Sequence, residues 1–480
     1  MKRTKIVCTL GPSSWDPLVL EKMIRAGMNV ARINFSHGSY SDHARIIRTI
    51  RSVAKKCGQD ILILQDLQGP RIRLGDLPSE GVSVSKGDRV VFVGESLFAG
   101  NYSGKNKDCI IPMQYEKLYQ DLKPRDMILV EDGTKRFVVE KSTASGIITK
   151  VVVGGVLKTH KGMNMPGVDL GVDVITKKDK ADLEFGLKME VDFVALSFVR
   201  DARDIHRLES LIRACDSKAN PGIIAKIERE EAIANLDEII KAASGIMVAR
   251  GDLGIELAAE RVPLLQKEII HRCRFYAKPV IVATQMLDSM IANPQPTRAE
   301  VSDVANAVID RSDAVMLSGE SAAGKYPVEA VEMMARIIHE TESSEEDNAG
   351  CGELGDPRLW DEFLAWSAFH AFSWHLVDAI VVFDDTESGY RAGWVARYRP
   401  RVPILVFSRD KLLGRQSLLF RGVQSYSYRW DSWEECLSKA SGMISKEGIL
   451  PKGSTILCLG SEQHPGLKSG FMDRMQWVKL

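Results

Sequence analysis

Eight short apolar runs that favour β-strands recur along this chain, and segments with helical periodicity fill most of the spaces between them. The runs cover residues 5–10, 30–35, 61–67, 193–198, 223–227, 245–249, 279–284 and 314–317. After the second run, apolar residues repeat at helical spacing over residues 41–56, and the pattern stops at Gly58. Eight β-then-α units predict an α/β fold of the (β/α)8 TIM barrel type, whose active site lies at the carboxyl ends of the strands.

A doubly wound open sheet is the alternative fold for alternating strands and helices. Such a sheet would carry a glycine-rich nucleotide turn after its first strand, whereas this chain has only Gly11-Pro12 there. A later segment, Gly319 to Tyr326, nearly matches the phosphate-loop pattern GxxxxGK[ST]. Because Tyr326 lacks the aliphatic hydroxyl that holds magnesium, we interpret this segment as a loop leading into a helix at Pro327.

About a hundred residues separate the third and fourth runs. Residues 70–167 contain short alternating runs at 89–93, 128–130, 136–139 and 147–153, punctuated by turns at Asp132-Gly133 and Ser145-Gly146. They predict a small inserted β-barrel that closes over the site as a lid. The catalytic barrel would then comprise residues 1–69 and 168–341, and residues 342–480 would form a separate, C-terminal α/β domain.

Composition argues against nucleic-acid and membrane partners. The chain balances 64 basic against 64 acidic residues among 480, so no bulk charge attracts either partner. No apolar segment approaches the roughly 20 residues of a membrane-spanning helix, and the charged start lacks the apolar core of a signal peptide. Since the eight cysteines are scattered without a CxxC pair, we expect reduced thiols in a soluble, cytoplasmic protein.

Charged residues follow two neighbouring runs at the points where buried strands should reach solvent. Lys226 and Glu228 end the fifth run, and Asp252 follows the sixth. Buried strand ends rarely carry such side chains without a chemical role. One ammonium and two carboxylates can hold a divalent cation and stabilise an anion beside it.

The second strand also carries polar residues at its end. Alternation directs Arg32, Asn34 and Ser36 into the barrel mouth, where an inward arginine suits a phosphate. His37, just beyond them, is either a structural histidine or a nucleotide contact.

Polar residues end the third, seventh and eighth strands as well. They are Asp66 with Arg71 and Arg73 beyond it, Thr284, and Ser318 with Glu320. Each one alone could be a structural ion pair, a cap or a solvated hinge residue. Their convergence at one end of a barrel predicts an active site.

Several long motifs resemble those of pyruvate kinases. They lie at residues 8–12, 31–38, 225–228, 247–254, 283–286, 296–300 and 316–320. The resemblance covers nearly the whole chain, including the insertion and the final domain. It implies a phosphotransferase that moves the phosphoryl group of phosphoenolpyruvate to ADP, giving pyruvate and ATP.

The resemblance assigns roles to the matching positions. Glu228 and Asp252 would bind Mg²⁺, with Mn²⁺ as an alternative ion. Lys226 would stabilise the charge on the transferring phosphoryl group. The amides of Gly251 and Asp252 would hold the substrate carboxylate together with Thr284, which would also lie near the route of enolate protonation.

The remaining roles concern phosphates. Arg32 would grip the phosphate of the substrate, and Asn34, His37, Arg73 and the lid residue Lys161 would contact the nucleotide. These assignments agree with the physical needs of phosphoryl transfer, which depends on positioning and charge neutralisation more than on a strong base. Lid closure would exclude the water that competes with ADP.

One segment departs from the pattern of many pyruvate kinases, which bind K⁺ at the positions matching Asn34, Ser36 and Asp66. Residues 66–71 read Asp-Leu-Gln-Gly-Pro-Arg and resemble a branch of the family that works without K⁺, in which a lysine ammonium stands in for the ion. Arg71 occupies the position of that lysine. We therefore predict that its guanidinium replaces K⁺ and that K⁺ is not required, although arginine is larger than lysine.

The final domain contains a candidate effector site. Thr386, Ser388 and Gly389 resemble the start of the family's effector phosphate loop, whereas Tyr390-Arg391 replaces its small hydroxyl residue. The loop is therefore either a site for a sugar phosphate or nucleotide, or a vestige of one. The family is usually homotetrameric, and the seven tryptophans beyond residue 359 suit an interface.

Two other functions stay open from the sequence. A barrel lyase or mutase acting on phosphoenolpyruvate could use the same metal carboxylates, but it would not need Lys161, Arg73 and a lid to bind ADP. A non-catalytic, metabolite-sensing relic would be expected to have lost Lys226, Glu228 or Asp252, and all three are present.

Overall fold

The computed structural model describes residues 2–102, 108–168, 170–344, 360–384, 391–461 and 472–480. Eight parallel strands form a closed barrel in chain order, with the eighth paired to the first from Lys5↔Ala314 to Cys8↔Leu317. The strands are Lys5–Thr9, Val30–Asn34, Leu62–Asp66, Phe193–Leu196, Gly222–Ile227, Gly245–Ala249, Val280–Ala283 and Ala314–Leu317. This closure confirms the predicted TIM barrel and excludes the open sheet.

Helices connect successive barrel strands and cover the outside of the barrel. They are Pro17–Ala26, Tyr40–Cys57, Lys177–Lys188, Ala202–Cys215, Glu230–Ala234, Leu236–Ala242, Arg250–Glu256, Val262–Phe275, Arg298–Ile309, Gly319–Ala322 and Pro327–Ser343. The helix Tyr40–Cys57 begins at Ser39, whose hydroxyl accepts from the Asp42 amide, and ends at Gly58 with a left-handed φ of +65°. Its buried isoleucines pack against the barrel, and each contributes about 1.5–3 kcal/mol of apolar burial.

The barrel interior is filled by alternate strand residues, since successive side chains of a strand point to opposite faces. Val7, Leu64, Ile224 and Met247 belong to this interior cluster. Leu419 of the final domain joins the same cluster, so that domain closes the amino end of the barrel. The carboxyl end is left for polar residues.

The insertion forms a seven-stranded sheet and a two-stranded sheet with their own apolar core. The edge strands meet at an antiparallel bridge between Leu74 and Met113, where the Gly75 amide also donates to Pro112 O at 2.7 Å. These contacts close the larger sheet into a small barrel. Its elements are Ile72–Arg73, Val82–Val84, Arg89–Gly94, Cys109–Met113, the helix Leu118–Asp121, Met127–Val130, Lys135–Thr143, Gly146–Val153, Gly155–Leu157 and Gly162–Asn164.

The final domain is built on a five-stranded sheet in which only the last strand is antiparallel. Its strands are Ala379–Asp384, Ile404–Ser408, Val423–Ser427, Thr455–Gly460 and Arg474–Lys479, and its helices are Trp360–Ser373, Arg391–Ala396, Lys411–Ser417 and Trp433–Lys446. The candidate effector residues Thr386, Ser388 and Gly389 lie outside the described residues. Within the described part of the chain, no helix is long and apolar enough to cross a membrane.

Candidate active site

Lys226 lies at the centre of a polar cluster at the carboxyl ends of the third, fourth and fifth barrel strands. Its Nζ lies 2.8 Å from Glu228 Oε1 and 3.5 Å from Asp66 Oδ1. All three side chains belong to residues less than one-tenth exposed. Burial lowers the pKa of Lys226, but the facing carboxylates of Asp66 and Glu228 outweigh it and raise the pKa overall. The ammonium therefore stays charged inside the protein.

Glu228 interacts with the ammonium of Lys226, with a backbone amide and with the carboxylate of Asp252. Its Oε2 accepts the Phe198 amide at 2.6 Å, and Phe198 adopts a left-handed φ of +57°. Burial raises the pKa of Glu228, the ammonium of Lys226 lowers it, and the nearby Asp252 raises it again, so the net pKa is above the ordinary value.

The donor set fits a hard divalent cation. The Asp252 carboxylate raises the pKa of Glu228, a repulsion that a divalent cation would relieve. Mg²⁺ is commonly held by one or two carboxylates plus water and substrate oxygens. Among the described residues no group of three His, Cys, Asp or Glu side chains forms a complete protein cage for a metal. Glu228 and Asp252 would therefore leave coordination positions for a ligand.

Arg32 and Asp66 form a second part of the site. Arg32 donates from Nε to Asp66 Oδ2 and from Nη1 to Thr9 Oγ1, both at 2.7 Å. Burial raises the pKa of Asp66, but Lys226 and Arg32 outweigh it, so the pKa is lowered overall. Asp66 Oδ1 is buried without a hydrogen-bond partner. The guanidinium is thus held in a fixed orientation by a charged carboxylate.

Thr284 and Gly251 meet where the sixth and seventh strands end. The Gly251 amide donates to Thr284 Oγ1 at 2.8 Å, so the amide predicted to hold a carboxylate has a protein partner in this structure. Thr284 and Gln285 adopt left-handed φ values of +70° and +54°, which cost energy in residues other than glycine. Arg250 holds this turn by donating to Thr284 O at 2.7 Å.

Asn34, Ser36 and His37, which were predicted to contact the nucleotide or a monovalent cation, lie at and just beyond the end of the second barrel strand. Asn34 Oδ1 accepts the Ser36 amide at 3.1 Å. Burial lowers the pKa of His37, and the guanidinium groups of Arg71, Arg73 and Arg32 lower it further. Positive charge is therefore concentrated around His37.

Arg71 does not contact Asp66, the carboxylate at the position where many pyruvate kinases bind K⁺. Arg71 is exposed, and it makes no hydrogen bond or ion pair with any described residue. Asp66 contacts Arg32 and Lys226 instead. The structure brings Arg71 within electrostatic range of His37.

The two lid residues predicted to meet the nucleotide lie next to each other. Arg73 donates to His160 O at 3.0 Å, and Lys161 forms an ion pair with Glu131 Oε1 at 2.7 Å. Gly162 pairs with Arg73 in adjacent antiparallel strands, which explains their proximity. Lys161 is therefore neutralised within the lid before any phosphate reaches it.

Ser197 is part of the site although the sequence did not single it out. Its Oγ accepts from Lys226 at 2.7 Å and donates to Leu67 O at 2.8 Å. The only signal was one hydroxyl residue between Leu196 and Phe198 at the end of an apolar run. Such a residue orients the lysine without adding charge.

The ends of the eighth strand and of the loop after it have structural roles. Glu320 is buried and accepts the amides of Ser318 at 2.7 Å and Leu287 at 3.1 Å. In the near-match to a phosphate loop, the Gly324 amide donates to Gly319 O at 2.8 Å, and the Lys325 amide to Ile291 O at 2.9 Å. These amides are consumed internally, which agrees with the interpretation as a loop before the helix Pro327–Ser343.

Comparisons with known proteins agree with one another. Residues 1–331 match the family model described as pyruvate kinase, barrel domain, and residues 362–473 match that described as pyruvate kinase, alpha/beta domain. A pyruvate kinase of Agrobacterium vitis is 42% identical over 463 residues, covering 95% of this chain and 94% of that protein. The pyruvate kinase of Geobacillus stearothermophilus is 41% identical over 462 residues, covering 95% of this chain and 77% of that protein. That of Clostridium perfringens is 39% identical over 463 residues, covering 95% and 96%.

Proposed function

This chain belongs to the pyruvate kinase family, and we propose how its own residues perform the reaction of that family. It is an enzyme that transfers the phosphoryl group of phosphoenolpyruvate to ADP, giving pyruvate and ATP in glycolysis, and the family generally uses Mg²⁺. The observation that carries our assignment of roles is the buried, charged Lys226 between the carboxylates of Glu228 and Asp66.

Lys226 supplies a fixed positive charge to the phosphoryl group in flight. Its ammonium is held by Glu228, Asp66 and the Ser197 hydroxyl, so little reorganisation is needed when charge develops on the phosphoryl oxygens. When bound to Glu228 and Asp252, Mg²⁺, or Mn²⁺ in its place, would add positive charge at the same oxygens. Arg32, oriented by Asp66 and Thr9, also binds the phosphate.

The carboxylate of phosphoenolpyruvate binds where Gly251 and Asp252, after the sixth strand, meet Thr284, after the seventh. Binding there requires the Gly251 amide to exchange its bond with Thr284 Oγ1 for one with the substrate. That exchange frees Thr284 Oγ1 as an acceptor, and the hydroxyl, which donates to Ala283 O at 2.7 Å in the ligand-free protein, would have to turn toward the substrate to act on the route by which the enolate is protonated. The left-handed backbone at Thr284 keeps Oγ1 directed toward the Gly251 amide.

ADP binds between the barrel mouth and the lid. Arg73 and Lys161 neutralise its phosphates, which displace Glu131 from Lys161, while Asn34 and His37 contact it from the barrel. The concentration of guanidinium groups around His37 supports an anionic ligand on this side of the mouth.

Arg71 removes the requirement for K⁺ by supplying a permanent charge near the nucleotide phosphates. Its proximity to His37 supports this role, although it does not touch Asp66. Turnover in potassium chloride and in tetramethylammonium chloride of equal ionic strength should agree within about twofold, whereas Arg71→Gln should become dependent on K⁺. A large K⁺ stimulation of the unmodified enzyme would contradict the proposal.

A coupled assay of pyruvate formation tests the activity itself. With phosphoenolpyruvate, ADP and Mg²⁺, pyruvate should appear in equal amount to ATP, and omission of ADP should abolish both products. ADP-independent consumption of phosphoenolpyruvate would favour a lyase or mutase. Binding of phosphoenolpyruvate without turnover would favour a metabolite-sensing protein.

Three further properties follow from family membership as proposals. We expect a homotetramer, supported by the exposed Phe363, Trp374 and Leu376 on and just after the helix Trp360–Ser373. We expect the protein to act in the cytoplasm, with no nucleic-acid or membrane partner. A sugar phosphate or nucleotide effector would bind near Arg391, whose buried guanidinium donates to Phe383 O at 3.0 Å and to Ser461 Oγ at 2.9 Å.

A further inference from the structure

One helix beside the barrel mouth donates a charged hydrogen bond to the loop after the second barrel strand. Lys178, in the first turn of the helix Lys177–Lys188, donates from Nζ to Phe35 O at 2.7 Å. Phe35 is buried, and its amide donates to Asp66 O at 3.0 Å. The peptide groups on both sides of Phe35 are therefore fixed, one by the neighbouring strand and the other by a lysine from a different element.

The peptide group that accepts from Lys178 also holds the side chain of Asn34. The carbonyl of Phe35 and the amide of Ser36 belong to the same planar peptide group, and this amide donates to Asn34 Oδ1 at 3.1 Å. A rotation of the group would break both bonds at once. Because its Oδ1 is engaged, Asn34 presents the Nδ2 donor to a ligand, and such a donor suits a phosphate oxygen.

Lys178 is itself held in place by a buried carboxylate. Asp182, one turn further along the helix, accepts from Lys178 Nζ at 2.5 Å and from the Tyr40 hydroxyl at 2.8 Å. Asp182 is only 1% exposed, and its carbonyl oxygen accepts from Gln65 Nε2 of the third barrel strand at 2.6 Å. These bonds fix the carboxylate to the barrel. The ammonium is therefore held beside Phe35 O although half of the Lys178 side chain is exposed.

The start of the same helix is fixed to the entrance of the lid. Asp179 is buried, and its Oδ1 accepts the Gly69 amide at 3.2 Å. Gly69 belongs to the first hinge, the segment by which the chain leaves the barrel for the strand Ile72–Arg73. That strand pairs with Gly162–Asn164, and the two form the hinge strands of the lid. The helix turn that acts on Asn34 is thus tied to the lid as well.

We propose that Lys178 is a positioning residue for the nucleotide, which acts by orienting Asn34 through the peptide group between Phe35 and Ser36. It lies on a helix that also fixes the first hinge, so the barrel side and the lid side of the nucleotide site keep one register. This inference rests on the proposed function, because it takes Asn34 as a nucleotide contact. Lys178 is assigned no contact with substrate.

Steady-state kinetics separates this role from a general effect on stability. Lys178→Met should raise the KM for ADP about tenfold, the effect of losing a hydrogen bond to a charged group, and leave the KM for phosphoenolpyruvate within about twofold. Lys178→Arg, which keeps a charged donor, should restore most of the affinity. Tyr40→Phe is the matched control, because it removes the other donor to Asp182 but leaves the bond to Phe35 O. It should keep both KM values within about twofold.

A double-mutant cycle tests whether Lys178 acts through Asn34. When Asn34→Ala is already present, adding Lys178→Met should change the KM for ADP by less than about twofold, because no side chain remains to be oriented. Lys177→Met, which removes an exposed charge beside Lys178, should leave that KM unchanged. A further tenfold rise in the double variant would overturn the inference. An unchanged KM for ADP in Lys178→Met, or an equal rise in either control, would also overturn it.

Calorimetric titration of ADP with Mg²⁺ into the protein without phosphoenolpyruvate gives a test that does not depend on turnover. The dissociation constant should be about tenfold higher for Lys178→Met than for the unmodified protein and for Tyr40→Phe. Equal ADP affinity of the unmodified protein and Lys178→Met would contradict the positioning role. An unmodified protein that makes no pyruvate would instead overturn the proposed function, whatever the titration shows.

Discussion

Charges are buried at both ends of the same barrel, but they are satisfied to different degrees. At the amino end, Asp313 receives both terminal nitrogens of Arg399 at 2.7 and 2.8 Å, the Arg421 amide at 2.9 Å and the Val280 amide at 3.0 Å. At the carboxyl end, Asp66 Oδ1 has no hydrogen-bond partner and the pKa of Glu228 is raised by burial. We infer that the fully paired charges around Asp313 hold two domains together, whereas the incompletely paired Asp66 and Glu228 belong to a ligand-binding site.

The amino end owes its complete pairing to the final domain. Arg399, Arg421 and Arg415 all reach from that domain to carboxylates of the barrel or of its last helix, Arg415 contacting Asp192 at 2.7 Å. In the part of the chain that the structure describes, no arginine of the final domain reaches the polar cluster around Lys226 at the carboxyl end. The two ends therefore divide stability and chemistry between them.

The largest effect that would break the comparison is loss of the central ammonium. Lys226→Met should lower kcat by about 10³-fold or more, because a preorganised charge is removed from the transition state, while the protein still folds. Lys5→Met is the matched control at the amino end, where Nζ donates to Val423 O at 2.7 Å. It should keep kcat within about twofold of the unmodified enzyme, and comparable losses in the two variants would refute the division.

The next effect concerns stability at the amino end. Asp313→Ala should lower the free energy of unfolding by about 3–5 kcal/mol, because it leaves Arg399 buried without its carboxylate. Asp60→Asn, which removes an exposed ion pair with Arg415 at the same end, should cost less than about 1 kcal/mol. Urea unfolding measures both. The comparison fails if the folded Asp313→Ala protein loses as much kcat as Lys226→Met.

The smallest effect concerns pH: one carboxyl group near the carboxyl end of the barrel, Glu256, and one at the amino end, Glu342, should change stability in opposite directions. Burial raises the pKa of Glu256 to about 7, so the unfolded chain loses this proton at lower pH than the folded protein, and stability falls as pH rises from about 4.5 to 7. Glu256→Gln removes that loss. The difference in unfolding free energy between Glu256→Gln and the unmodified protein, both without metal, should therefore grow in favour of the variant by up to about 2–3 kcal/mol from pH 5 to pH 8.

Glu342, at the amino end, provides the contrasting case. Burial raises its pKa, but Arg421 and hydrogen bonds from Arg3 and Thr4 outweigh burial and lower it overall. Its stabilising contribution is present above the unfolded pKa and disappears only as pH falls below about 4.5. Glu342→Gln should consequently be destabilised by the same amount at pH 5 and pH 8. A pH-dependent difference in that range would contradict the contrast.

The sequence predicted the parts of this molecule that depend on local periodicity. The eight strands and the helix Tyr40–Cys57 follow from spacings of two and 3.6 residues, and polar residues at strand ends converge once the barrel closes. Lys226, Glu228 and Asp66 were found in this way, because the topology alone brings them together.

Other parts depend on contacts that leave no local signal. Lys161 pairs with Glu131, which lies 30 residues away, and Asp313 pairs with Arg399, 86 residues away. The position of Arg71 depends on the path of the first hinge, which the residue types near Gly69 do not determine. The hydrogen bond from the Gly251 amide to Thr284 Oγ1 forms where Thr284 adopts a left-handed backbone, and a threonine in the sequence does not predict that conformation.

The paired hinge strands have a consequence for how the chain reaches its native topology. The third and fourth barrel strands are neighbours, with Phe193 opposite Leu64, although 129 residues separate these partners. The insertion has its own core, and its first and last strands pair between Arg73 and Gly162. Once the insertion has folded, the loop that must close to join the two barrel strands is only a fraction of its apparent length, and its entropic cost falls accordingly. The insertion that we propose as a lid would thus also shorten the search for the barrel during folding.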